Sequence, residues 1–291
     1  MSECVVQARG LRKNYGTHAA VDGVDLNIAR GRIVGLVGPN GAGKTTALKA
    51  ILGLTDFAGE LRVLGLDPFR QREQLMQRVC FIADTAVLPK WMRVGEVIDY
   101  VEAVHPQFDR QRCARFLNGT KLLPRAKVKT LSKGMVVQLH LAIVLAIDAE
   151  LLVLDEPTLG LDILFRKRFY EQLLGDYFDA NRTILITTHQ IEEVESLLTD
   201  LLFIRDGRIM LDASMDAVAQ RFAEVEVDPR QIEAARALAP ISERKVLGRY
   251  VLMFDGVDPQ QLARIGVVHP VSVADLFVAM MGGLQSVGLA A

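Results

Sequence analysis

The chain is poor in cysteine, in net charge and in unbroken apolar runs. Its 291 residues hold three cysteines, Cys4, Cys80 and Cys113. The number is odd and the spacing wide, which excludes a disulfide framework and a thiolate metal pattern and favours a reducing compartment. Formal net charge is −1, so no strong attraction to nucleic acid or to an anionic membrane is expected. The longest apolar run, residues 139–154, is interrupted by His140, Asp148 and Glu150. It is too short and too broken to span a bilayer. Glu3, Arg9, Arg12 and Lys13 replace an apolar signal core near the start. The expectation is a cytosolic chain that is free to dock on a membrane protein. Half of the residues are apolar and 24% are charged, which suits one large or two modest globular domains.

One stretch organises what is present: Gly38, Pro39, Asn40, Gly41, Ala42, Gly43, Lys44, Thr45 and Thr46. A Gly, four residues, then Gly-Lys-Thr is the phosphate-binding loop pattern. Residues 32–37 before it form a short apolar run that reads as a buried strand, and residues 46–52 after it read as a helix. Glycines let the backbone bend tightly and approach a ligand closely. Successive N–H groups then make an anion-binding nest at a helix N-terminus. Lys44 is positioned for the β- and γ-phosphates and the Thr45 hydroxyl for Mg²⁺.

A second run, residues 151–154, is wholly apolar and ends in Asp155-Glu156-Pro157. It reads as a buried parallel strand presenting acids at its C-terminal edge, where ligands bind in open α/β sheets. Asp155 would hold Mg²⁺ and Glu156 would take a proton from an attacking water. The bland alternative is a helix N-terminus decorated with acids, which a phosphate loop elsewhere in the chain disfavours. Residues 183–188 form another buried strand that delivers His189 to the same edge. Tyr15, in a turn-rich polar stretch over 11–17, either packs locally or stacks on a base. Arg125, Lys127, Lys129 and Lys133 make a basic cluster, read first as a solvated loop and second as a docking patch.

The remaining pattern predicts strands over 5–9, 24–28, 59–65 and 79–82, helices over 94–104 and 109–117, and a hairpin over 201–211 around Arg205-Asp206-Gly207. From about residue 215 strands over 222–227 and 250–254 mix with helices over 231–238 and 272–281, with Ser272 and Asp275 spaced as a capping box. The expected fold class is α/β: a P-loop NTPase core with an antiparallel β subdomain, a helical insertion at about 85–148, and a small C-terminal α+β appendage. The boundaries are 1–214 and 215–291.

The set formed by residues 38–46, Leu131-Ser132-Lys133-Gly134-Met135, residues 151–156, Leu161-Asp162 and His189 resembles the ATP-binding cassette (ABC) ATPases over residues 1 to about 214. The closest look is to ATP-binding subunits of ABC-2-type exporters, which carry a similar C-terminal appendage. The resemblance implies a head-to-tail dimer with ATP and Mg²⁺ between two copies of this chain or a related ATPase subunit, and a separate integral-membrane permease. Residues 38–46 of one copy would hold the phosphates, with Ser132 and Gly134 of the other as the cap. Tyr15 would stack on adenine, Glu156 would be the general base, His189 the γ-phosphate contact, and Asp162 the link between sites. Two departures stand out. Asp84 occupies the position where the family usually has a metal-sensing Gln, so a third metal ligand is expected there. Lys133 and Met135 replace the usual Gly and Gln of the signature.

Localisation would be peripheral, on the cytoplasmic face of the membrane, with no nucleic-acid partner. A soluble ABC ATPase acting on a partner such as an iron–sulfur assembly scaffold is the alternative. A GTPase or small-molecule kinase is disfavoured by the Ser-x-Gly signature and by the lack of a guanine-reading Asn-Lys-x-Asp. The loop assignment yields a direct test. Lys44→Ala should abolish ATP binding, because the ammonium on the β/γ-phosphates is lost; unchanged affinity in a direct binding assay would refute it.

Overall fold

Side-chain alternation decides how the layers stack. The computed structural model describes residues 3–82, 88–159 and 161–282. Its central sheet has six strands, in spatial order Val79–Ile82 (β5), Leu151–Asp155 (β6), Thr183–Thr188 (β7), Ile33–Val37 (β3), Asp200–Arg205 (β8) and Arg208–Ser214 (β9). The first five are parallel and β9 returns antiparallel. Parallel strands covered on both faces read as continuous apolar runs. Strand β6 illustrates this: Leu151 and Val153 face one core, Leu152 and Leu154 the other. Each such side chain contributes about 1.5–3 kcal/mol on burial.

One face of the sheet packs against helix Lys44–Ile51 (α1) and an antiparallel sheet of Cys4–Tyr15 (β1), His18–Ala29 (β2) and Ala58–Val63 (β4), in order β2-β1-β4. The short helix Arg72–Met76 (α2) adds Leu75 to that core. The other face carries Val94–Val104 (α3), Arg110–Leu117 (α4), Lys133–Leu145 (α5) and Ile163–Gln172 (α6). Polar caps fix their starts: Asp109 Oδ1 accepts from Arg112 N at 3.0 Å, Ser132 Oγ from Met135 N at 3.3 Å, and Asp162 Oδ1 from Phe165 N at 2.9 Å.

Beyond β9 come Met215–Arg221 (α7), Phe222–Val227 (β10), Ile232–Arg236 (α8), Ser242–Val246 (β11), Arg249–Asp255 (β12), Pro259–Ile265 (α9), Val267–Pro270 (β13) and Val273–Gly282 (α10). The four strands form one antiparallel sheet, order β11-β12-β10-β13. Val225, Leu252, Phe254 and Leu262 give this segment its own small core. Its last helix does not stay with that core. Val273, Leu276 and Ala279 of α10 are buried in the large cluster that holds Leu201 and Phe203 of β8.

The structure differs from the sequence reading in several places. The polar stretch over 11–17 is largely strand: β1 runs to Tyr15 because bulges near Gly10 (φ 56°) keep it paired with β2. Helix α6 carries no clear apolar stripe in sequence and was not anticipated, yet it buries Phe169 and Tyr170 and runs into a π-helical turn, Leu173–Tyr177. Strands β11 and β13 were missed because their side chains are largely exposed and show no alternation.

The cysteines offer a check on the core. All three thiols are free. Burial pushes the Cys80 and Cys113 thiols up to about 12, so neither supplies thiolate, the reactive form, at neutral pH. Cys4 is only half-buried. At pH 8 a thiol reagent should label Cys4 alone in the native protein and all three in denaturant; rapid native labelling of the other two would contradict this core.

Candidate nucleotide site

Strand β3 is buried along its whole length and ends at Val37, where the chain turns into the glycine loop. Gly38, Ala42, Gly43 and Lys44 are buried, while Pro39, Asn40, Gly41 and Thr45 face outward. Gly43 caps α1 in a left-handed conformation at φ 107°, which favours glycine. Packing forbids a larger residue as well. A Cβ on Gly43 would lie 2.3 Å from the Ala20 carbonyl oxygen of β2, and one on Gly38 would lie 2.4 Å from the Ile204 carbonyl oxygen of β8. Lys44 folds back across the loop, its Nζ donating to the Gly38 oxygen at 2.6 Å and the Pro39 oxygen at 3.2 Å. Burial pushes its pKa below the ordinary lysine value, against the pull of Glu156 and Asp155.

Asp155 ends β6 and is 4% exposed. A buried carboxylate needs partners, and two hydroxyls supply them. Thr45 Oγ1 donates to Oδ2 at 3.2 Å and Thr187 Oγ1 donates to Oδ1 at 2.5 Å. Register explains the second contact, since Asp155 pairs directly with Thr187 across β6 and β7. The donor set at this edge is all oxygen, a hydroxyl and a carboxylate. No cluster of three or more His, Cys, Asp or Glu able to hold a metal exists among the described residues. This fits Mg²⁺, which binds through one or two carboxylates plus substrate phosphates rather than a protein cage. Asp84, the third expected ligand, lies outside the described residues.

Glu156 adopts φ 48°, rare for a side chain of this kind and costing about 1–2 kcal/mol. Its N–H donates to the Thr187 oxygen at 3.1 Å. The strained turn aims the carboxylate at His189, with Oε1 2.9 Å from Nδ1. Strain held by surrounding structure is a mark of functional positions. The edge of the sheet thus gathers Gly38 to Thr46, Asp155, Glu156 and His189.

Other sequence candidates lie apart. Tyr15 sits at the tip of the β1–β2 hairpin, 49% exposed, with Lys13 Nζ 5.1 Å from its ring centre. Ser132 is exposed at the start of α5, and Gly134 follows in the first turn. A Cβ on Gly134 would meet only Leu161 Cδ2, at 4.0 Å.

Sequence reasoning missed two contributors. Thr187 read as the end of a strand, although a hydroxyl next to a buried aspartate was a usable signal. Arg166 gave none. It donates to the Leu161 oxygen at 3.0 Å, beside Asp162, and pairs with Glu193, which follows His189.

The family model described as "ABC transporter" matches residues 21–159. A Nod factor export ATP-binding protein I from Cupriavidus metallidurans is 33% identical over 96% of this chain and 97% of its own length. The chain belongs to the ABC transporter ATP-binding proteins. A daunorubicin resistance ATP-binding protein from Streptomyces coeruleorubidus is 29% identical, covering 95% of this chain and 90% of its own length. Two solved structures share the fold. One, an ATP-binding subunit of an ABC transporter, has a TM-score of 0.68 at 23% identity, over 74% of this chain and 91% of its own. The other, cbiO1 of Clostridium perfringens, part of the ABC transporter complex cbiONQ, has a TM-score of 0.62 at 24% identity, over 73% and 89%. The family binds ATP, and the mixed α/β architecture is that of its P-loop ATPases.

The Thr187 contact is open to test. Thr187→Val keeps the shape but frees one oxygen of Asp155. It should raise the Mg²⁺ concentration for half-maximal ATPase activity by about three- to tenfold, the value of one hydrogen bond to a charged group reduced by partial rescue from water. An unaltered Mg²⁺ dependence would remove Thr187 from the site.

Proposed function

We propose that this chain is the ATP-hydrolysing subunit of an exporter, peripheral on the cytoplasmic face of the membrane, and that two copies close around ATP and Mg²⁺. The observation that carries this reading is Gly134. Glycine in a helix costs roughly 1 kcal/mol relative to alanine, and among the described residues of the chain nothing crowds this position. A close approach from outside the chain accounts for it. Ser132, exposed, and Gly134, half-buried, at the N-terminus of α5 would then face the γ-phosphate held on the partner's glycine loop, with helix N–H groups turned toward the anion. The export role rests on relatives named for Nod factor export and daunorubicin resistance. No helix among the described residues is long and apolar enough to cross a membrane. On this reading the path across the bilayer belongs to a separate permease.

The chemistry follows from the site. Lys44 leaves its backbone partners to meet the β- and γ-phosphates. Thr45 and Asp155 would hold Mg²⁺, which neutralises charge on the phosphate oxygens. Glu156 takes the proton of the attacking water, so its strained backbone serves to place a base. His189 orients the Glu156 carboxylate and contacts the γ-phosphate. Tyr15 stacks on the adenine.

Glu156→Gln keeps the shape and removes the base, so hydrolysis should fall by about 10²–10⁴-fold while ATP binding persists. With ATP this variant should elute as a dimer in size-exclusion chromatography. Adding Gly134→Asp should return it to the nucleotide-free size, since the new carboxylate fits within its own chain but repels the partner's phosphate. A fully active Glu156→Gln would displace Glu156 as the base, and an ATP-bound dimer that survives Gly134→Asp would displace the cap.

A further inference from the structure

The C-terminal helix α10 is fastened at both ends to the two segments that carry the nucleotide chemistry. At its N-terminus the Val273 N–H donates to Glu195 Oε1 at 3.1 Å, and the Asp275 N–H donates to Ser272 Oγ at 3.0 Å. Glu195 begins the 3₁₀ turn Glu195–Leu197, which directly follows the turn Ile191–Glu193 after His189. At the other end Arg205 Nη1 donates to the Met280 oxygen at 3.1 Å and the Met281 oxygen at 3.2 Å. A carboxylate at the start and a guanidinium at the end both complement the helix dipole. No carboxylate pairs with Arg205 among the described residues, so its charge serves these carbonyls. Between the ends Phe277 stacks edge-on against Phe203 of β8, ring centres 5.3 Å apart. Ten residues span about 15 Å, enough to bridge the two segments.

Arg205 also opens the tight turn that props the glycine loop. Asp206 and Gly207 both have positive φ, 49° and 74°, as a two-residue hairpin turn of this twist requires. The Gly207 N–H donates to the Ala42 oxygen at 3.0 Å, and the Gly207 oxygen accepts from Asp22 N at 2.9 Å. Arg208 grips Asp22 Oδ2 with two bonds, 2.9 and 2.6 Å. The turn therefore has no slack, and a Cβ on Gly207 would stand 3.0 Å from the Ala20 oxygen. Ile204, immediately before Arg205, closes on Gly38. Arg205 thus stands between one neighbour that packs on Gly38 and a turn that hydrogen-bonds to Ala42, two points of the glycine loop.

We propose that Arg205 and Glu195 are positioning residues for ATP hydrolysis, through which α10 sets the glycine loop at one end and the His189 segment at the other. The C-terminal segment thereby gains a mechanical hold on the ATP site, so that whatever moves that segment tunes nucleotide affinity and turnover. The inference rests on the ATPase reading of the site.

The two ends predict different kinetics in the full-length protein. Arg205→Ala loosens the loop and should raise KM for ATP and the Kd of a fluorescent ATP analogue about three- to tenfold, with kcat within about twofold. Arg205→Lys, which still donates to a carbonyl, should restore most of the affinity. Glu195→Ala should lower kcat by about three- to tenfold with affinity nearly unchanged, and Glu195→Gln, which still accepts, should restore turnover. A lowered Tm with KM and kcat both unchanged would reduce α10 to a structural brace and overturn the proposal, as would identical kinetic effects from both ends. Should an alanine variant fail to fold, hydrogen exchange on the wild type decides: by reciprocity, ATP must slow exchange in α10, and unchanged exchange overturns the proposal. Lys44→Ala separates the layers. Lost ATP binding there, beside silent Arg205 and Glu195 variants, removes only this inference, whereas retained binding removes the ATP site with it.

Discussion

A single buried carboxylate ties the site together. Asp155 sits at the end of β6 with 4% exposure, and hydroxyls from β7 and α1 reach both of its oxygens, supplying the partners that a buried carboxylate needs. Those two threonines come from Thr45, directly after Lys44, and from Thr187, two residues before His189. Satisfying the carboxylate therefore fixes the spacing between the glycine loop, the acidic strand and the histidine strand. The parallel register of β3, β7 and β6 makes this possible, since it ends all three strands at one edge.

The glycine loop is held by contact as much as by its own conformation. Ala20 of β2 presses on Gly43, Ile204 of β8 on Gly38, and the Gly207 turn hydrogen-bonds to Ala42. Three elements from distant parts of the sequence leave no room for a Cβ at Gly38 or Gly43, while Gly41 faces open space. A backbone held in this way needs little reorganisation to receive an anion, which is where preorganised electrostatics gain their strength.

The strain at Glu156 belongs to the same design. Its positive φ is accompanied by a backbone bond to Thr187 of β7 and by a contact with His189, the residue that follows β7. The strand that orients the Asp155 carboxylate thus also positions Glu156. One strand carries the alignment of two carboxylates. Next to it, Arg166 joins the Asp162 loop to Glu193, so the segment after His189 and the loop before α6 are also linked.

Local pattern carries local information, and the sequence by itself determined the phosphate-loop motif, the acidic strand end, the buried parallel strands and the Ser272–Asp275 cap of α10. Each of these depends on residues within a few positions of one another: glycine spacing, an apolar run ending in acids, a hydroxyl or carboxylate before a helix. The tertiary structure alone decided that Thr187 holds Asp155, that Arg166 spans two loops, that Gly134 is uncrowded, and that α10 leaves its own small core to lie on β8. The contacts behind them join residues separated by 32, 27 and 75 positions. No periodicity encodes such distances. They follow from strand order and register, which only the assembled sheet fixes.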